Sequence, residues 1–134
     1  IEISYSQYYE AEMGTGLRKQ WFASSNLADP SKLAEWKLKS HKIEGRYALG
    51  GNRRVNIDPG YVGLSKVVLA SLKNHPQRIA LSGGAFAETE LIFEDGQWHD
   101  LPWTYWDYSA NPVKSFLMEV RAHLYGKLKA EGLI

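Results

Sequence analysis

The chain has 134 residues, 44% of them apolar and 13% aromatic, and a formal net charge of +1. It contains no cysteine, which excludes disulfides, cysteine-based metal sites and cysteine nucleophiles and fits a reducing compartment such as the cytoplasm. No apolar run approaches the roughly 18 residues that span a membrane, and no secretory signal pattern is visible.

No linker, repeat or low-complexity tract interrupts the chain, so one domain is expected over residues 1–134. "SYSQYYEAEMG" reads as a short helix ended by Gly14. A clearer helix follows a loop containing Trp21. Asp29 is its N-cap and Pro30 its first residue. Leu33, Trp36, Ser40, Ile43 and Tyr47 recur at helical spacing as a buried stripe, opposite Lys32, Glu35, Lys39, Lys42 and Arg46. Gly50-Gly51 closes this region.

Strands come next. "RRVNID" alternates Val55 and Ile57 against Arg54, Asn56 and Asp58. Pro59-Gly60 after it suits a type II turn. "SKVVLASLK" is rich in β-branched residues and reads as a strand, with a short helix as the alternative. "RIALS" and "AFAETELIFE" follow. Asp95-Gly96 between "LIFE" and "QWHDL" predicts a two-residue type I′ hairpin that sets Phe93 opposite Trp98. The last helix starts with Asn111 as cap and Pro112 in its first turn. Phe116, Leu117, Val120, Leu124 and Leu128 form its apolar face. The fold class is α+β: a mostly antiparallel sheet of four to five strands packed by two or three helices.

Charge is uneven along the chain. Residues 32–78 carry ten cationic side chains against three carboxylates, a net +7, and residues 79–110 carry six carboxylates and no Lys or Arg. This suits a basic face that meets phosphate. It equally suits two blocks that lie side by side and neutralise each other.

The candidates for chemistry are few. Asp58 stands before a proline, which holds it in extended backbone beside Asn56 and Arg54. Such a carboxylate can hold a metal or orient a water; equally, it can cap its own turn and pair with Arg54. Glu88 and Glu90 lie two apart on a strand and point the same way, with Ala87, Thr89, Leu91 and Phe93 on the other side. Two carboxylates on one face can share acid–base work or ligate Mg²⁺, or be ordinary solvated charges. Asp58 and Glu88 are thus the catalytic candidates, with no defined metal set. The four histidines show no ligand spacing. Trp103, Tyr105, Trp106 and Tyr108 can stack bases or seal a small core; Trp103 and Tyr105 are expected on one side, Trp106 and Tyr108 on another. Nucleotide signatures are absent. "GYVGLSK" only superficially resembles a phosphate-binding loop, since Leu64-Ser65 stand where Gly-Lys is needed. No G-x-S-x-G elbow supports a serine hydrolase.

Three segments together, "YYEAEMG", "RRVNIDPGYVGLSKVVLASLK" and "LPWTYWDY", with "RIALSGGAFAETELIF" between the last two, resemble a prokaryotic domain-of-unknown-function family. Its members often carry the label "GTP-binding protein". The resemblance carries over no established catalytic residues, and the cofactor stays unknown. It implies a strand and a helix ahead of "YYEAEMG" in other members, so this chain is expected to lack an N-terminal βα unit. Here Trp106 replaces a usual proline and Glu90 a usual small polar residue, which argues against a Glu88/Glu90 metal pair.

Two functions of different class follow from the residues. One is a phosphate-ligand site for a nucleotide or RNA. Arg53, Arg54, Lys66, Lys73 and Arg78 supply its cations, Asn56, Trp103 and Tyr105 its further contacts, and Asp58 and Glu88 its carboxylates. The other is a non-catalytic protein-interaction module or homo-oligomer. The residues fix no reaction, so enzyme status stays open.

Overall fold

The computed structural model describes residues 2–4 and 17–134. The helix expected over "SYSQYYEAEMG" lies, from residue 5 on, outside the described residues. The short strands β1 (Glu2–Ser4) and β2 (Arg18–Gln20) pair antiparallel, with Ile3 opposite Lys19.

A single 3-10 turn, Pro30–Lys32, opens the first helix among the described residues, α1 (Leu33–Arg46). Asp29 caps that turn by accepting the Ser31 N–H at 2.9 Å, as its residue type favours. The expected solvent stripe is exposed. The expected buried stripe holds in part: Leu33 and Ser40 are buried and Trp36 packs on the core, but Ile43 and Tyr47 are exposed, and Ala34, Lys37 and Glu44 are buried in their place. The helix is rotated because a lysine and a glutamate, not aliphatic residues, complete its inner face. Gly50 and Gly51, both at positive φ, then form a two-residue turn between Leu49 and Asn52.

Residues 53–58 are not a strand. The sheet begins at β3 (Gly60–Val62) and continues with β4 (Lys66–Ser71), β5 (Ile79–Ala80), β6 (Phe86–Glu94) and β7 (Gln97–Asp100). All pairings are antiparallel: β4 lies between β3 and β6, and both β5 and β7 pair with the far edge of β6. No type II turn forms at Pro59-Gly60. The Pro59 carbonyl accepts the Ala70 N–H at 3.0 Å, so the chain enters the sheet directly. Gly60 is needed there for approach, since a Cβ would clash with the Val68 carbonyl oxygen. The hairpin at Asp95-Gly96 forms as its dipeptide predicts, with φ of 51° and 74°. Phe93 faces Trp98, their ring centroids 5.0 Å apart.

Two further helices complete the α+β fold: α2 (Trp106–Ser109) and α3 (Asn111–Ala130). Asn111 is the first residue of α3 and not its cap; Ala110 takes that position without a side-chain bond. Strand β4 is buried on both faces. Val68 and Ala70 meet Leu33, Trp36 and Tyr61 on the α1 side, and Val67 and Leu69 meet Tyr108, Val113 and Leu117 on the other. No helix among the described residues is long and apolar enough to cross a membrane.

A β-bulge sits in the middle of β6. Val67 pairs with Leu91 but Val68 with Thr89, so Glu90 is an extra residue. The bulge reverses the alternation. Ala87 packs on the α1 side, whereas Leu91 and Phe93 join the α3 side, the face of Leu69 and hence of its partner Glu88. The expected opposition of Leu91 and Phe93 to Glu88 therefore fails.

The far edge of β6 also has a gap. Strand β5 covers Phe86 and Ala87, and β7 covers Leu91 to Glu94, leaving Glu88 to Glu90 without a strand partner. Side chains of the segment before α2 fill it. Trp103 Nε1 donates to the Thr89 carbonyl at 2.8 Å and Thr104 Oγ1 to the Glu90 carbonyl at 2.6 Å. Successive carbonyls of a regular strand point to opposite edges; the bulge lets both reach this segment. Thr104 Oγ1 also accepts the Leu101 N–H at 2.8 Å. Thr104→Val orphans both groups and is expected to lower the unfolding free energy by about 2 kcal/mol. Urea denaturation checks this; a midpoint equal to wild type removes the hydroxyl from the account.

Candidate functional site

Residues 53–59 are held by α1 in place of a sheet ladder. Lys37 and Glu44, two helical turns apart on the inner face, grip one residue. Lys37 Nζ donates to the Ile57 carbonyl at 3.1 Å, and Glu44 Oε2 accepts the Ile57 N–H at 2.7 Å. Both partners are buried. Buried backbone groups need partners, and here charged side chains supply them. This is why an alternating sequence does not become a strand.

Asp58 follows that clamp. It lies 3.7 Å from Lys37 Nζ and 3.8 Å from Lys19 Nζ, and accepts from Asn56 Nδ2 at 3.0 Å. Arg53 Nη1 in turn donates to Asn56 Oδ1 at 2.8 Å. Asp58 therefore pairs with two lysines rather than with Arg54. Lys19 also donates to Asp107 Oδ2 at 2.8 Å and lies over the rings of Trp21 and Tyr108. Tyr108 is buried, and its hydroxyl is pushed well up by burial first and then by the nearby Asp58, Asp107 and Glu90 carboxyls.

This segment forms one wall of a groove of about 1320 Å³. Residues 17–28 form a second wall, and the Phe116, Val120, Leu124 and Leu128 face of α3 a third. The lining is mainly apolar and aromatic. Phe22 stands at it with 85% of its surface exposed. Arg54, Asn56 and Asp58 bring polar groups to the same space. Arg54 makes no ion pair or hydrogen bond among the described residues, in contrast to Arg78 and Lys37.

A second cluster lies at the gap in β6. Arg78 and Glu88, with side chains 5% and 3% exposed, form an ion pair at 3.2 Å. Gln77 Nε2 donates to the same Glu88 oxygen at 2.7 Å. Arg78 also donates to Ser71 Oγ, the Lys73 carbonyl and the Tyr105 hydroxyl. Glu90 is fully buried. Its Oε1 accepts the Tyr105 N–H, and its Oε2 has no partner. Burial, then the adjacent Glu88 carboxyl, push the Glu90 carboxyl up to about 8, against the pull of the Tyr105 N–H. Among the described residues, no three acidic or histidine side chains converge to hold a metal.

The candidate residues are thus divided. Arg54, Asn56 and Asp58 line the groove, with Arg53 joined to them through Asn56. Arg78, Glu88, Trp103 and Tyr105 belong to the gap in β6. Lys66 and Lys73 are exposed and line neither place, although the Lys73 backbone holds Arg78. Of the aromatic run only Tyr108 is buried; Trp103, Tyr105 and Trp106 are exposed, so the expected two-sided packing does not occur. Sequence reasoning missed Lys19, Lys37 and Glu44. Lys37 and Glu44 do carry a signal, opposite charges seven residues apart on one helix face.

The chain belongs to the family described as "Domain of unknown function (DUF4416)", whose model matches residues 1–124. No curated protein and no solved structure matches it.

Proposed function

We propose that the groove binds an anionic small molecule with a flat or apolar body, and that a nucleotide is the class that fits. One observation carries this reading. Arg54 lies on the wall of a large aromatic groove with its guanidinium uncommitted among the described residues. Guanidinium is suited to phosphate, which it meets through two parallel bonds. Phe22 and Tyr61 offer ring faces for a base. Asp58 and Asn56 beside Arg54 offer an acceptor and an amide for sugar hydroxyls. RNA fits less well, because Lys66, Lys73 and Arg78 do not extend the cationic surface around the groove.

Thermal shift and calorimetry with GTP and ATP test the reading. A nucleotide at 100 times its dissociation constant adds about 2.7 kcal/mol, a rise of several degrees for a domain of this size. Arg54→Ala is expected to weaken binding about tenfold or more, as loss of a charge-assisted bond does. Val120→Trp, which narrows the groove from the α3 wall, is expected to weaken it further. Absence of any shift with either nucleotide defeats the reading and turns attention to a protein-interaction or self-association role.

A further inference from the structure

We propose that Glu88 and Glu90 share one proton, and that this proton latches the segment 101–107 into the gap of the sheet between β5 and β7. The arrangement of the groups supports it. Around Glu90 stand Glu88 from the same strand, Arg78 and Gln77 from the turn before β5, Tyr105 and Asp107 from the plugging segment, and Tyr108 from α2. Lys19 reaches Asp107 from β2. Three buried carboxyls, Glu88, Glu90 and Asp107, thus face two described cations, each already engaged with one of them. A third buried charge has no counter-ion among the described residues, so the economical state is a neutral Glu90.

The two oxygens of Glu90 fix where the proton sits. Oε1 accepts the Tyr105 N–H, a role that suits the carbonyl oxygen of a protonated carboxyl. Oε2 is the buried atom without a partner. A proton on Oε2 turns an orphaned acceptor into a donor, and the adjacent Glu88 carboxylate is its acceptor. The bulge is what puts this side chain there. Loss of the proton to solvent places two carboxylates side by side in a buried gap. The Tyr105 N–H bond to Glu90 and the plug built on Trp103 and Thr104 then sit against that repulsion.

The sign follows from linkage. The folded carboxyl holds its proton up to about 8, whereas an exposed glutamate loses it near its ordinary value of 4.5. The contribution of the latch is complete below 4.5, declines as pH rises, and is exhausted above about 8. Within that window the opening equilibrium rises by up to about tenfold per pH unit.

Two measurements on the whole chain test this. With glutamate δ-carbons labelled in ¹³C, one carboxyl of the wild-type protein is expected to titrate near 8. The Tyr105 amide, corrected for intrinsic exchange, is expected to lose protection across the same window and then level off. Glu90→Gln replaces the proton by an amide N–H that does not titrate, and protection in it is expected to be flat with pH. The proposal is overturned if every glutamate carboxyl titrates below about 6, a range of ordinary carboxylates. It is equally overturned if one titrates near 8 while the Tyr105 amide keeps constant protection. The first measurement needs no variant, so a Glu90→Gln protein that fails to fold leaves the test intact.

Discussion

Arg78→Ala is expected to lower the unfolding free energy by about 3–5 kcal/mol, the cost typical of stranding one partner of a buried ion pair. The guanidinium has four acceptors: Glu88 Oε1 at 3.2 Å, Ser71 Oγ at 3.0 Å, the Lys73 carbonyl at 2.8 Å and the Tyr105 hydroxyl at 2.9 Å. Alanine leaves the Glu88 carboxylate buried without its cation, with Gln77 still donating to it and Glu90 beside it. Arg78→Lys is expected to recover little, because one ammonium cannot span acceptors set out for a planar fork. The double variant Arg78→Met with Glu88→Leu removes both charges and is expected to be far less damaged than Arg78→Ala. Urea unfolding of the four proteins distinguishes these cases. A loss below about 1 kcal/mol in Arg78→Ala, the range of an exposed pair, would show that water reaches Glu88 and that the cluster at the gap is not dry.

The same cluster shows what a sequence conveys and what it conceals. Local rules act where neighbours in sequence are neighbours in space. Asp29-Pro30 opens its helix and Asp95-Gly96 turns its hairpin, because both depend on a few consecutive dihedrals and bonds. Strand β4 is legible because Val67 to Ala70 are apolar on both faces. The bulge at Glu90 is not legible, since it exists only in the pairing with β4. Once it is missed, Leu91 and Phe93 are assigned to the wrong face. The aromatic run misleads for a related reason. Trp103 is there for its indole N–H as much as its area, because the Thr89 carbonyl at an unpaired edge needs a donor.

The candidate groove was legible only in part. Arg54, Asn56 and Asp58 stand out as a polar cluster before Pro59-Gly60. Their true support does not. Alternation around Val55 and Ile57 predicts a ladder, and the ladder is replaced by Lys37 and Glu44 from a helix. Hydrophobic periodicity assigns charged residues to the surface, so it turns α1 the wrong way about its axis. Arg78, Lys66 and Lys73 are close in composition to Arg54, yet only contacts across the fold show that Arg78 is consumed by Glu88.

If the groove binds a nucleotide as proposed, that support couples stability to binding at residues 53–59. Glu44→Ala is expected to lower the unfolding free energy by about 2 kcal/mol, because it leaves the half-buried Ile57 N–H without an acceptor. Glu44→Gln keeps a carbonyl oxygen within reach of that N–H and is expected to lose about 1 kcal/mol or less, the charge-assisted part of the bond. The two variants leave the groove's own lining untouched, so any effect on nucleotide affinity passes through the position of Asn56, Asp58 and Arg54. Glu44→Ala is expected to weaken nucleotide binding severalfold at a temperature where the protein is still folded, and Glu44→Gln to leave it near wild type. Calorimetry beside urea denaturation separates the two quantities. If Glu44→Ala loses stability but binds nucleotide as well as wild type, the clamp on Ile57 serves the fold alone and does not position the groove wall.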